Sequence, residues 1–125
     1  MNLLDSSGWL EYLLDSSLAD TFEPVLKNPG ELIVPSIAIY EVVKKLLVER
    51  DEDYALTVAV QMQQGNVVNL DAALAAYAAK VGKEYQLPLA DSIIYAITLL
   101  YGCTLWTTDR HFEGLSGVRY FAKSA

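Results

Sequence analysis

The stretch LPLADSIIYAITLLYG, residues 87–102, is an apolar run of helical length with one charge, Asp91. Ile93, Ile94, Ala96, Ile97, Leu99 and Leu100 leave almost no polar face, so the helix they predict is mostly buried. Burying an unpaired carboxylate costs on the order of several kcal/mol, so a partner is expected. Two readings supply one. Asp91 lies in the first turn after Pro88, where an acid caps free N–H groups and suits the helix dipole. Alternatively, it faces a cation that the helix itself does not provide.

A chain of 125 residues, 53% hydrophobic and 20% charged, is expected to form one soluble domain, 1–125, with a real core. Its single cysteine, Cys103, cannot close an internal disulfide, which points to a reducing compartment. The start MNLLDSSGW has an acid at position 5 and no basic segment, unlike a signal peptide. The longest uncharged run, Ser92 to Thr108, is shorter than a membrane span of about 20 residues. A cytoplasmic protein without membrane contact is therefore expected. Nine Lys and Arg against 16 acids give a formal charge of −7, which argues against simple electrostatic binding to nucleic acid. Any such chemistry requires something that offsets the acids.

The pattern along the chain alternates short apolar runs with helical ones. MNLLD predicts a strand ending in an acid, followed by a helix with Trp9, Tyr12 and Leu13 at helical spacing. Asp15 and Ser16 open a second helical stretch to about Lys27. NPGE is a turn, LIVP is a strand ending at Pro35, and Ser36 reads as the cap of a helix IAIYEVVKKLLVER. A helix from about Asp53 to Gln64 leads through Gly65-Asn66 into a strand VVNL. Asp71 caps an alanine-rich helix ending near Gln86, and the buried helix closes at Tyr101-Gly102. CTLWTT is the fourth strand, Asp109 starts a short turn, and GVRYF is the fifth strand. The alternation predicts a single three-layer α/β/α domain with a mostly parallel five-stranded sheet.

In such sheets the ligand site lies beyond the carboxyl ends of the strands. Asp5 directly follows the first strand and Asp109 follows the fourth. Asp91 lies in the first turn of the buried helix, and Glu41 in the second turn of the helix after strand two, its side chain leaning back toward the strand end. Each has a structural alternative: Asp5 and Asp109 as helix caps, and Glu41 in an exposed ion pair with Lys44 or Lys45. If the acids converge, their repulsion calls for a hard divalent ion, and one or two Mg²⁺ ions suit phosphodiester hydrolysis. Ser6 and Thr107 are then candidates to orient a carboxylate or a water. With those four acids committed to a metal, nine cations stand against 12 acids.

The segments LLDSSGWLEYL, VPSIAIYEVVKKL, LPLADSIIYAIT and LWTTDRHFEGLSGV, in this order and spanning nearly the whole chain, resemble a PIN domain of the VapC type, a ribonuclease toxin of a toxin–antitoxin pair. The resemblance implies a Mg²⁺- or Mn²⁺-dependent endoribonuclease with its acids at Asp5, Glu41, Asp91 and Asp109, and Ser6 and Thr107 in support. It also implies a homodimer and a cognate VapB-like antitoxin.

Lys44, Lys45, Arg110 and His111 are candidates for RNA phosphate contacts. His111, the one histidine, is expected more readily as an ordinary, partly exposed residue than as a base or metal ligand. Trp9, Leu10, Tyr12 and Leu13 are candidates for an antitoxin groove, with core packing expected for two of them. Neither a GxSxG nucleophile nor a zinc cluster is present in the sequence. Two other functions compete: a catalytically inactive PIN-like interaction module, and a phospho-acceptor receiver built on Asp71 and Lys123, which lacks the expected acid pair after strand one.

Overall fold

The computed structural model describes residues 1–123; Ser124 and Ala125, the end of the expected 1–125 domain, lie outside the described residues. Five strands, β1 (Asn2–Leu4), β2 (Leu32–Pro35), β3 (Asn66–Val68), β4 (Thr104–Thr107) and β5 (Val118–Tyr120), form one sheet in the order β3-β2-β1-β4-β5. All the pairings are parallel, so the expected sheet is present and is parallel throughout. Six helices connect the strands: α1 (Ser6–Leu13), α2 (Ala19–Leu26), α3 (Ser36–Glu49), α4 (Glu52–Met62), α5 (Ala72–Tyr85) and α6 (Leu89–Tyr101). Single 3₁₀ turns lie at Pro29–Glu31 and Arg110–Phe112.

The central strands are buried on both faces, which is why they read as unbroken apolar runs. Leu3, Ile33 and Leu105 stand side by side in register and pack against α5 and α6. Leu4, Leu32 and Val34 face the opposite layer, formed by α1 to α4 around Phe22, Val42, Leu46 and Met62. Helix α6 is enclosed from Asp91 to Thr98. Tyr95 is fully buried there and donates its hydroxyl to the Ser116 carbonyl at 2.8 Å, with Tyr85 edge-on to its ring. The burial does not reach the end of the helix: Leu99, Leu100 and Tyr101 are 36%, 57% and 54% exposed. Helices α5 and α6 meet so closely at Gly82 that a Cβ there would overlap the Ser92 hydroxyl.

Several local expectations shift. Pro35 takes the N-cap position of α3, and Ser36 is its first residue, with its hydroxyl accepting the Leu70 N–H at 3.2 Å. Asp15 adopts φ +53° in a turn, so α2 starts at Ala19 rather than at Ser16. Cys103 is buried immediately before β4 rather than within it. Among the described residues, no helix is long and apolar enough to cross a membrane.

Candidate active site

The strand order reverses at β1, with β2 on one side and β4 on the other, and that switch point is where a crevice opens beyond the carboxyl ends. Parallel strands need crossover connections, so α3 and α6 present their first turns at this same edge. Chain direction alone therefore carries Glu41 and Asp91 toward the ends of β1 and β4.

Asp5 is only 2% exposed. Its N–H donates to the Trp106 carbonyl at 3.0 Å, continuing the β1–β4 pairing, and its Oδ1 caps α1 by accepting the Ser6 N–H at 2.8 Å. Oδ2 accepts from Thr107 Oγ1 at 2.8 Å and from Ser7 Oγ at 2.9 Å. Each of these hydroxyls has one proton, committed to Asp5, and accepts a backbone N–H with a lone pair. Thr107 Oγ1 takes the Asp109 N–H at 2.9 Å, and Ser7 Oγ takes the Thr108 N–H at 3.1 Å. The ends of β1 and β4 are thus fastened together around one carboxylate.

Glu41 does not pair with a lysine on its own helix. Lys45 Nζ turns to Glu49 at 3.2 Å, and Lys44 lies over the Tyr40 ring. Glu41 instead accepts from Ser6 Oγ at 3.0 Å, which brings it beside Asp5. Asp91 is likewise no helix cap: Pro88 holds that position and no side chain caps the helix. The Asp91 Oδ2 lies 2.8 Å from His111 Nδ1. That nitrogen is also 3.1 Å from Asp109 Oδ1, which caps the 3₁₀ turn by accepting the His111 N–H at 2.9 Å. His111 is partly exposed, as expected. Its ring is 57% exposed, yet it bridges two of the four acids, because the turn begun by Asp109 folds it back over the α6 terminus.

All four acids line one cleft of about 370 Å³, together with Ser6, Ser7 and Lys123. It adjoins a second hollow of about 540 Å³ that shares Ser7, Asp109 and Lys123 and adds Arg110 and Tyr120. Burial pushes the Asp5 and Glu41 carboxyls above their ordinary range, outweighing the hydroxyl donations they receive. Asp91 is raised to about 7 by burial, then by the charges of Asp109 and Asp5, with His111 opposing. His111 is raised chiefly by the Asp109 charge.

Mutually repelling carboxylates, oriented by neutral donors, form a donor set suited to a divalent cation. Among the described residues, Asp91, Asp109 and His111 are the group of three whose ligand atoms all lie within 4.8 Å of one another. Asp5 is linked to that group through Thr107, which also takes the Asp109 N–H, and Glu41 is linked to Asp5 through Ser6.

The remaining candidates divide. Trp9 is buried in the core, Leu13 packs against the same cluster, Leu10 lines the cleft, and Tyr12 is half-buried. Asp71 is occupied as the cap of α5, accepting the Leu74 N–H at 2.8 Å. Ser7 belongs to the site although it was not among the candidate residues; the second serine of DSS is the available signal. Lys123, considered there only for a receiver, lines both hollows.

Residues 3–118 match the PIN domain family. No curated protein sequence matches the chain. Among solved structures, a toxin–antitoxin complex from Klebsiella pneumoniae superposes with a TM-score of 0.81 at 21% identity, covering 98% of this chain and 100% of that one. A sarcin-ricin loop cleaving VapC toxin of Mycobacterium tuberculosis gives 0.76 at 15% identity, covering 94% and 97%. A DNA-bound VapBC from Salmonella typhimurium gives 0.71 at 17% identity, covering 97% and 96%.

Proposed function

The chain belongs to the PIN domain family, and from that premise we propose that it is a metal-dependent endoribonuclease, the toxin of a VapBC-type toxin–antitoxin pair. The observation that carries this reading is the meeting of Asp5, Glu41, Asp91 and Asp109 in one cleft, where burial raises three of them. Asp5, Asp91 and Asp109 would hold Mg²⁺ or Mn²⁺, with Glu41 toward a second ion or an ordered water. A bound ion supplies Lewis-acid polarisation of the scissile phosphate and of the attacking water.

The chain's own residues do the positioning. Thr107 and Ser7 aim both lone-pair faces of Asp5 Oδ2 by donating to it, and Ser6 holds Glu41 Oε1 in the same way. Without an ion, burial and the Asp109 and Asp5 charges raise Asp91 to about 7, and a bound cation would favour its ionised form. Lys123, which lines both hollows, and Arg110, which lines the second, would meet phosphates flanking the scissile one. Leu10, Tyr12 and Leu13 remain the surface side of the expected antitoxin groove, and the homodimer expected of the family is part of the same reading. An antitoxin partner is supported by the complexes among the similar folds.

The test is cleavage of a mixed RNA pool with Mg²⁺, with Mn²⁺, with EDTA, and by Asp91→Asn. Cleavage is expected with either ion, none with EDTA, and a loss of about 100-fold or more in the variant. A folded protein that cleaves no member of an RNA panel with either ion would point instead to an inactive interaction module.

A further inference from the structure

Resting on the metal-dependent reading, we propose that His111 is a nitrogen ligand of the ion held by Asp91 and Asp109, and that it turns the site's preference toward Mn²⁺ over Mg²⁺. The sequence alone ranks this role below an ordinary one, because a histidine two residues after an acid in a surface turn is common. The geometry is less so. In an octahedral site with bonds of about 2.1 Å, neighbouring ligand atoms stand about 3.0 Å apart. His111 Nδ1 lies 2.8 Å from Asp91 Oδ2 and 3.1 Å from Asp109 Oδ1. Those are the separations along two edges meeting at the nitrogen, and all three atoms lie within 4.8 Å of one another.

Two features fix the ring there. The His111 N–H is tied to Asp109 Oδ1 at 2.9 Å, so the turn that presents one ligand also sets the other. The following Phe112 is fully buried against Tyr95, which anchors the turn on α6, the helix that carries Asp91. The ring remains 57% exposed, leaving an open side for an ion to enter. An imidazole in place of one oxygen weakens the fit for Mg²⁺, which demands oxygen ligands and sheds water reluctantly. It favours ions that accept nitrogen, of which Mn²⁺ is the hardest.

Mn²⁺ bound to the untagged protein reports this directly, since His111 is the chain's one imidazole. Electron spin-echo modulation of the Mn²⁺-loaded wild type is expected to show the hyperfine coupling of a directly bonded imidazole nitrogen. In His111→Gln the coupling disappears, Mn²⁺ affinity falls about 10-fold or more, and Mg²⁺ affinity falls by about threefold or less. Mn²⁺ bound without nitrogen coupling overturns the His111 assignment and leaves the carboxylate site standing; His111 then acts as a cation that stands in for the metal. Failure of the folded wild type to bind Mn²⁺ overturns both. Should His111→Gln lose its fold, the wild-type spectrum decides alone, because only one side chain can give the signal.

Discussion

Asp91→Asn is expected to stabilise the metal-free protein at pH 8, the opposite of what removing a helix-terminal acid usually does. In the folded chain the Asp91 carboxyl is raised from 3.8 to about 7. Folding therefore takes up a proton between those values, and stability falls as pH rises through that window. The full displacement corresponds to roughly 4 kcal/mol of ionisation penalty above pH 7. One edge of the carboxylate meets the open cleft, where water screens it, so about 2 kcal/mol is the better figure. The dipole of α6 opposes this, favouring the anion by up to about 1 kcal/mol. The burial effect wins, and asparagine retains an oxygen for the His111 contact. Urea denaturation with EDTA should show the variant more stable than wild type by about 1–2 kcal/mol at pH 8, with the difference shrinking through pH 5 and vanishing below about pH 4. Saturating Mn²⁺ should reverse the order, since an ion at about 100 times its Kd adds about 2.7 kcal/mol to the protein that binds it. A variant less stable than wild type at pH 8 in EDTA would refute the reasoning and leave the favourable field of the α6 N-terminus as the stronger effect.

Other substitutions separate the site from its scaffold. Thr107→Val removes a donor from Asp5 and the acceptor of the Asp109 N–H; it should cost about 1–3 kcal/mol in urea denaturation and weaken Mn²⁺ binding about 10- to 100-fold by calorimetry. Gly82→Ala drives a methyl into the Ser92 hydroxyl and within 3.0 Å of Ser92 Cβ, so α5 and α6 must part. A loss of about 1–3 kcal/mol is expected, with weaker Mn²⁺ binding because Asp91 precedes Ser92. Tyr95→Phe loses the bond to the Ser116 carbonyl and should cost about 1 kcal/mol while leaving Mn²⁺ affinity unchanged.

The layered α/β/α architecture was legible because its signals are local. Apolar runs such as LIVP and LWT mark strands buried on both faces, and Asp71 and Gly102 punctuate helices by short-range hydrogen bonding and a left-handed backbone. The four acids were legible for a topological reason, because positions just after parallel strands or early in crossover helices converge wherever the sheet is wound this way. What the sequence withheld depends on side-chain direction. Lys44 and Lys45 have the right spacing for Glu41, yet Glu41 leans inward to Ser6, and no helical periodicity distinguishes the two. His111 sits in the site because a single 3₁₀ turn rotates it over α6, a rotation that residue spacing does not encode. Ser7 was hidden because serine after a capping acid has a sufficient local explanation already.

The pairing of charges is the deeper argument for a site that awaits a cation. The chain has nine Lys and Arg, and any of them facing Asp5 or Glu41 would relieve the burial that raises those carboxyls. Among the described residues, the ion pairs formed by lysine are Lys27–Glu23 and Lys45–Glu49, both on exposed helix faces, while His111 is the charged partner of Asp91 and Asp109. The partners of Asp5 and Glu41 are hydroxyls and a backbone N–H group. Such neutral donors fix where a carboxylate points without cancelling its charge, whereas a guanidinium would cancel the charge and fill the space. A fold selected only for stability would gain by replacing these acids with neutral isosteres of similar volume. Keeping them oriented and uncompensated makes physical sense when the compensating charge is a ligand that arrives from solution.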